Sequence, residues 1–330
     1  MIAISRQKSI PLYSQILHKM GIWTMLIVLL ITGAILSPKF LQPANLLDIL
    51  RNITLLGIVA IGTSFVTYGK HYVDLSIPSI MACSGMAAVS ALPWGIWPSL
   101  ACGLLTGLAI GAVNGYVVGY LRLNPIIWTL AMVFLLDGFL RLVFNGQQVY
   151  PDAGTSGGAA FLGFSQLQVL GIFPVTTIVM LVFVAIGQWL MKRTRFGSQV
   201  QLTGTAYDVA RLSGVPVERI VMLTFLVSAF STTIAGLLLT SLNRQGTFDT
   251  GLGYDFDSVT AVVLGGVSLN GGRGSVVGVL GGLLVIGVLV NQMTLLGLNS
   301  FAQMVVKGVV FIVVVGLTSW LSRRTGRTDV

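Results

Sequence analysis

Long apolar segments follow one another along almost the whole chain, and they constrain its fold more than any other feature. A helix that crosses the hydrocarbon layer of a membrane needs about 20 mostly apolar residues, with a range of about 17 to 25. By this test we predict an all-α polytopic membrane protein with ten spans, organised as a single transmembrane domain over residues 1–330. The predicted spans are residues 21–36, 53–68, 77–93, 98–121, 125–145, 172–191, 220–242, 257–269, 275–296 and 302–320.

Composition agrees with a membrane protein. The 330 residues are 55% hydrophobic and only 9% charged, whereas a soluble domain carries about 25% charged residues. The chain therefore has no room for a sizeable soluble domain. The net charge of +9 is typical of an inner-membrane protein with basic loops, and we do not predict nucleic-acid binding.

Lys and Arg indicate the orientation, because they concentrate in cytoplasmic loops. With residues 1–20 placed in the cytoplasm, the ten spans also leave the 321–330 tail inside. The inner side then holds Arg6, Lys8, Lys19, Lys70, Arg122, Lys192, Arg193, Arg195, Arg211, Arg219, Arg273, Arg323, Arg324 and Arg327, and the outer side holds Lys39, Arg51 and Arg244. Residues 146–171, on the outer side, contain neither Lys nor Arg. We therefore predict both termini inside.

Two segments leave alternatives open. The eighth predicted span, 257–269, is short for a full crossing and is compatible with a broken helix whose ends are covered by protein or line a cavity. Residues 43–52 alternate apolar and polar side chains at helical spacing. They fit either a short interfacial helix on the outer face or the start of the second span.

The fourth span carries glycines at every fourth position: Gly103, Gly107, Gly111, Gly115 and Gly119. Small residues at this spacing allow close helix packing in membranes, so we interpret the row as a packing seam. Asn114 lies beside it, and its amide fits interhelical hydrogen bonding or, as the second reading, contact with a solute.

Charged residues within the spans are costly and usually face a partner or a cavity. Asp137 and Arg141 are four residues apart in the fifth span, where they share a helix face and are predicted to pair. A lining role in a transport pathway is the alternative. Asp74 and Ser76 precede the third span and are predicted to cap it, with Pro78 in its first turn. We expect no metal site, and none at His71 in particular.

The segment 192–219 is the longest predicted cytoplasmic connection. Thr203 or Thr205 is expected to cap a short helix over residues 207–212, which Gly214 and Pro216 would end. A helix of one or two turns is marginal by itself. We therefore expect it to dock onto a partner.

The stretch from Gly253 to Gly308 is the most distinctive motif. Two apolar segments flank the tight turn 270–274, and Gly274, Gly278 and Gly282 are spaced for close helix packing. Asp257 is followed by A-V-V-L-G-G-V-S-L-N-G-G-R-G-S at 261–275. This order resembles the C-terminal signature of the sugar-type permeases of ATP-binding-cassette (ABC) importers, the ribose, galactose and autoinducer-2 class.

The resemblance implies a bacterial inner-membrane permease of a binding-protein-dependent importer for a small polar solute, a monosaccharide. It implies an ABC ATPase, a second permease (an identical copy or a paralogue), a periplasmic binding protein and membrane lipid as partners. The 192–219 segment would be the coupling loop that docks on the ATPase. Its expected coupling residues are Gly204, Asp208, Arg211, Leu212, Ser213 and Gly214. The expected pathway candidates are Asp74, Asn114, Asp137 and Asp257.

The sequence departs from the family in places. The family carries Arg-Gly where this chain has Asp137-Gly138, so no family role passes to Asp137. The family also has Gly-Asn where this chain has Thr205-Ala206. It has glycines on both sides of an Asp-Leu-Ser core, whereas this chain keeps that core at 74–76 and has other residues in place of the glycines.

Several kinds of chemistry are missing from the sequence. It contains no G-x-x-x-x-G-K-[ST] phosphate-binding loop, so we expect no cofactor in this chain and ATP bound by a partner subunit. No H-E-x-x-H or C-x-x-C motif occurs, which argues against an enzyme. A secondary transporter is the alternative function, for which only Asp137, Arg141 and Lys307 offer coupling groups. An exporter-type permease is a further alternative, but it would usually carry long cytoplasmic helical extensions, and we identify none in this sequence.

Overall fold

The computed structural model describes residues 12–70, 73–169 and 173–324, and these ranges are almost entirely helical. The exceptions are turns and a hairpin of two very short antiparallel strands, β1 (Gln168–Val169) and β2 (Phe173–Pro174). The helices are α1 (Leu12–Leu36), α2 (Pro43–Tyr68), α3 (Ile77–Ala91), α4 (Ile96–Gly119), α5 (Pro125–Val143), α6 (Ser156–Phe164), α7 (Val175–Arg193), α8 (Arg195–Thr205), α9 (Tyr207–Leu212), α10 (Val217–Asn243), α11 (Tyr254–Leu264), α12 (Val276–Leu295) and α13 (Ser300–Arg324). The prediction for His71 lies outside the described residues, as do 1–11 and 325–330.

Seven helices within the described ranges are long and apolar enough to cross a membrane: α2, α3 with its 3₁₀ extension to Trp94, α4, α5, α7, α10 and α12. Two shorter apolar stretches, Ile22–Leu36 and Ser300–Gly316, lie in α1 and α13. The protein is therefore a polytopic helical membrane protein.

The second helix begins ten residues earlier than its predicted span. It starts at Pro43, which occupies the first turn, and runs without a break to Tyr68. Of the two readings of residues 43–52, the start of the second span is confirmed and a separate interfacial helix is wrong. Proline fits the first turn of a helix because the N–H it lacks has no helical partner there.

The core forms around α10, which packs on α2, α3 and α4. The glycine row of α4 faces α10: Gly103 faces Leu237, Gly107 faces Thr233 and Gly111 faces Ala229. A Cβ on Gly115 would lie 2.8 Å from the carbonyl oxygen of Met222. The two backbones therefore approach as closely as they do because α4 carries no side chains along this seam.

The eighth predicted span is a half-length helix. The chain leaves α10 at Asn243, passes through 244–253, and forms the 11-residue α11. The following turn places Gly266, Gly271, Gly272 and Gly274 at positive φ, which glycine adopts without strain. In α12, Gly278 lies against the carbonyl of Gly265 and Gly282 against that of Ala261. Close packing of α11 on α12 thus covers the broken segment.

The bundle has two ends, which we name by the short helices that lie there. At the α9 end, α4 finishes, α5 and α10 begin, and Gly204 of α8 packs on the backbone of Tyr68. At the α6 end, the Ser241 hydroxyl of α10 donates a hydrogen bond to the Phe161 carbonyl of α6. Helix α6 was not predicted, because its nine residues are too few for a membrane span.

Candidate functional site

The predicted coupling loop contains two helices where one was predicted. Thr194 caps α8, since its hydroxyl accepts a hydrogen bond from the Gly197 N–H at 3.2 Å. Thr205 instead donates to the carbonyl of Gln201, and α9 has no side-chain cap. The predicted capping by Thr203 or Thr205 is therefore wrong. The predicted end of α9 is confirmed, with Gly214 at φ +79° two residues after Leu212, the last residue of the helix.

Helix α9 presents most of its surface outward. Leu212 is 88% exposed, the largest exposure among the large hydrophobic residues of the described chain. Asp208, Arg211, Ser213 and Gly214 are exposed as well, whereas Gly204 is buried in α8 against the 271–272 turn. Only Ala210 of α9 is buried. The predicted coupling residues thus form an exposed, mixed apolar and polar ridge, apart from Gly204.

The inner side of α9 packs on an apolar cluster at the α9 end of the bundle. Ala210 and Tyr207 join Val118, Val221 and Trp128 there. Next to this cluster lies a cavity of about 410 Å³ between α9, the α4–α5 connection and α10. Arg122 and Asn124 line it, and Arg122 pairs with Glu218 at 3.0 Å. Helix α9 therefore rests on a narrow contact beside open space.

Asp74 and Asn114 belong to one hydrogen-bond chain, which begins at Trp128. The Trp128 indole N–H donates to Asn114 Oδ1 at 3.0 Å, and Asn114 Nδ2 donates to the Ser76 hydroxyl at 2.8 Å. The Ser76 hydroxyl then donates to Asp74 Oδ1 at 2.6 Å. Of the two readings of Asn114, the structure favours interhelical hydrogen bonding.

The segment between α2 and α3 is shaped around Asp74. Its Oδ1 also accepts the Ser76 N–H at 3.0 Å, and the Leu75 N–H donates to the Thr129 hydroxyl of α5 at 3.1 Å. Among the described residues, the Asp74 carboxylate accepts hydrogen bonds only from Ser76, two residues later in the chain, so it closes a local turn. It does not cap the N–H groups of α3, and α3 has no side-chain cap. Pro78 does lie in the first turn of α3, as predicted.

Asp137 and Arg141 pair along α5 at 2.9 Å, with side chains 44% and 51% exposed. The guanidinium also lies over the Phe248 ring, 4.7 Å from its centroid. The exposed face of α5 around them is apolar, with Phe134, Leu135, Phe139 and Leu142. This ion pair is therefore surrounded by the apolar, unburied face of a membrane helix.

Asp257 forms a separate ion pair. Its Oδ2 lies 2.5 Å from Nζ of Lys307 in α13, and both side chains are partly buried. Phe256 and Phe311 contact edge to face between the same two helices. The four predicted pathway candidates thus fall in three places: Asp74 with Asn114, Asp137 on the α5 face, and Asp257 against α13.

The comparisons with known proteins agree on one family. The family described as "Branched-chain amino acid transport system / permease component" matches residues 45–315. The chain belongs to this permease family. The match begins in α2 and extends into α13, so it covers the segment 192–219 and all three sites above.

Individual relatives are similar over nearly their full length. The ribose import permease protein RbsC of Bacillus subtilis is 36% identical over 305 residues, 92% of this chain and 93% of that protein. The L-arabinose ABC transporter permease protein AraH of Azospirillum brasilense is 34% identical, covering 91% and 87%. RbsC of Escherichia coli is 34% identical, covering 88% and 90%. No solved structure matches this permease significantly.

Sequence reasoning missed several residues of these sites. Ser76 was assigned only a capping role, and Trp128, Thr129 and α8 were not singled out. Lys307 was noted as a charge within the last span but was not linked to Asp257, which is 50 residues away. Thr194 gave a usable signal, since a threonine after an apolar segment and before a polar helix is a typical N-cap. The long-range partners gave none.

Proposed function

We propose that this permease is the membrane subunit of an ATP-driven, binding-protein-dependent importer of a monosaccharide in the bacterial inner membrane. The observation that carries the proposal is the similarity to ribose and arabinose permeases along nearly the whole length of both chains. The family description mentions branched-chain amino acids. The named sugar permeases are more specific, because each is matched over 87–93% of its own length.

The polar groups of the membrane helices support an uncharged solute. Asp137 pairs with Arg141 and Asp257 pairs with Lys307, so these charges are neutralised within the permease. Among the described residues, Asp74 is the one buried carboxylate, and the other buried polar side chains are hydroxyls and amides. Such groups suit the hydroxyls of a sugar, whereas a zwitterionic amino acid would need charged partners of its own.

The proposed architecture has ten traverses with both termini in the cytoplasm. Support comes from the seven long helices, the two shorter apolar stretches in α1 and α13, and the half-length α11. Ile22 of α1 packs near Gly281 early in α12, and Gly33 lies near Gln292 late in α12, so α1 and α12 run in the same direction. Helix α12 begins after the 271–272 turn, which packs on Gly204 at the α9 end, so α1 also begins at that end. With the N-terminus in the cytoplasm, the α9 end is the cytoplasmic side, in agreement with the Lys and Arg bias.

Energy and solute delivery come from partners in this proposal. The ridge of α9 would dock in an ABC ATPase, which binds ATP, and a periplasmic binding protein would deliver the sugar at the α6 end. A second permease, identical or paralogous, would cover the exposed α5 face. An ion pair such as Asp137–Arg141 is unfavourable against lipid, and a partner or water-filled pathway relieves that cost.

Uptake in cells tests the proposed solute. The permease is expressed with its ATPase and binding protein in a strain unable to import pentoses, and uptake of labelled D-ribose, L-arabinose and L-leucine is compared. We expect ATP-dependent uptake of at least one pentose and none of leucine. Uptake of leucine without either pentose would contradict the sugar assignment.

A further inference from the structure

The hydrogen-bond chain from Trp128 to Asp74 links the α9 end of the bundle to a deeply buried carboxylate. Its donors all point the same way: the indole N–H to Asn114, the Asn114 amide to Ser76, and the Ser76 hydroxyl to Asp74. Hydrogen bonds in such a series polarise and strengthen one another in a low-dielectric interior. We call Trp128, Asn114, Ser76 and Asp74 the relay.

One end of the relay lies beside α9, which has open space next to it. At one end, Trp128 packs in the same cluster as Ala210 and Tyr207 of α9. Helix α9 has space to move, because the cavity of about 410 Å³ lies directly beside Tyr207. A displacement of α9 therefore bears on the Trp128 ring before it reaches any other part of the relay.

At the other end, Asp74 is only 1% exposed, yet its Oδ2 accepts no hydrogen bond from the described residues. An unsatisfied buried acceptor is costly and calls for an explanation. Asp255 of α11 is a second carboxyl group near Asp74, and the two groups repel each other when both are ionised. The carboxylate is thus held by the relay in an arrangement that its remaining surroundings do not favour.

We propose that the relay transmits the position of α9 to the segment 73–76 and to α11, so that Asp74 gains its missing partner in another state of the transport cycle. Trp128, Asn114 and Ser76 are positioning residues in this scheme. The inference rests on the proposed function, since it assumes that an ATPase moves α9. It adds the specific side chains through which that movement reaches the middle of the permease.

Two relay variants keep most of the packing while interrupting the relay. Trp128→Phe retains an aromatic ring in the α9 cluster but loses the indole N–H. Ser76→Ala removes the hydroxyl that joins Asn114 to Asp74 and leaves the Ser76 N–H bond to Asp74 in place. The matched control is Asn291→Leu, which breaks a reciprocal amide pair with Asn45 elsewhere between membrane helices.

The test measures movement of the 73–76 segment directly. In a permease with Cys83 and Cys102 replaced by alanine, Val73→Cys reports the accessibility of this segment to N-ethylmaleimide. The complex with its ATPase is studied in nanodiscs, with and without ADP-vanadate trapping. We expect trapping to change the labelling rate by on the order of fivefold or more in the parent and in Asn291→Leu, and to change it little in Trp128→Phe and Ser76→Ala.

Melting temperatures and ATPase rates of all variants are measured alongside, so that a general loss of structure is recognised. Unchanged labelling responses in the relay variants would overturn the proposal, as would a parent whose labelling does not respond to trapping. Uptake of D-ribose and L-arabinose is recorded with the same complexes. A parent that responds to trapping but imports neither pentose would refute the proposed solute and leave the relay supported.

Discussion

At the scale of single residues, the permease places charge in apolar surroundings by pairing it locally. Asp137 and Arg141 are one helical turn apart, with the acid N-terminal to the base, which is the more favourable order on a helix. The Phe248 ring adds a cation–π contact to the guanidinium. Without Asp137, the Arg141 guanidinium would keep the ring contact but lose its carboxylate partner.

This pairing predicts a non-additive mutational effect. Asp137→Ala should lower the stability of the permease more than the double change Asp137→Ala with Arg141→Ala, because the single change leaves an unpaired guanidinium. We therefore expect the effects of the two substitutions to be non-additive. Thermal unfolding in nanodiscs measures it. The control cycle uses Asp48 and Arg51, an exposed pair at 3.4 Å in the first half of α2, where little coupling is expected. Additive losses at 137 and 141 would disprove the pairing as a source of stability.

At the scale of elements, the α4–α10 seam depends on the absence of side chains. Gly115 faces the Met222 backbone, which cannot yield as a flexible side chain can. Gly138 of α5 has none of the described residues within 4 Å of where its Cβ would lie. The two glycines therefore differ in packing while both lie in membrane helices.

The seam predicts opposite outcomes for the same substitution. Gly115→Ala should destabilise the permease by about 1–3 kcal/mol through overpacking. Gly138→Ala should be neutral or slightly stabilising, because alanine favours a helix more than glycine does. Melting temperatures of the two variants in one detergent provide the comparison. Equal melting temperatures would show that α4 and α10 are not packed at backbone distance.

Helix α9 predicts a loss of partner binding without a loss of folding. Leu212→Asp should weaken co-purification of the ATPase, because burying this leucine would contribute about 1.5–3 kcal/mol. The substitution should leave membrane insertion intact, since Leu212 is exposed in the permease. Leu167→Asp, at an exposed leucine near the α6 end, is the control and should retain the ATPase. If Leu212→Asp retains it equally well, α9 is not the docking element.

At the scale of the whole molecule, the Lys and Arg distribution predicts the orientation. A cysteine at Thr205, in a background without Cys83 and Cys102, should be protected from a membrane-impermeant maleimide in intact cells. A cysteine at Gln166, an exposed position in the basic-residue-free segment 146–171, should be labelled. The opposite pattern would reverse the proposed topology.

The long helices could be predicted from the sequence because membrane spans depend on local apolar length. The short α11 could be anticipated for the same reason, since its apolar run ends at the glycine-rich turn. The polar contacts could not. Asn114 and Ser76 are 38 residues apart, and Asp257 and Lys307 are 50 apart, so their contacts depend on how the helices pack.

Short helices outside the membrane spans were also hard to predict from the sequence. Helix α8 has an amphipathic pattern and a Thr194 cap, but its weak apolar character made it look like part of an irregular loop. The predicted caps for α9, Thr203 and Thr205, are in fact the residues near the end of α8. Local capping signals are ambiguous where two short helices adjoin, and the tertiary contact of Gly204 with Tyr68 decides where the first ends.

The central claim, that α9 couples an ATPase to sugar import, is tested most directly in proteoliposomes. The permease, its ATPase and its binding protein are reconstituted, and ATP-dependent accumulation of labelled D-ribose and L-arabinose is measured for the parent and for Leu212→Asp. We predict accumulation of a pentose by the parent and its loss in Leu212→Asp. Pentose accumulation by Leu212→Asp at the parental rate, or accumulation by the parent without ATP, would contradict the account.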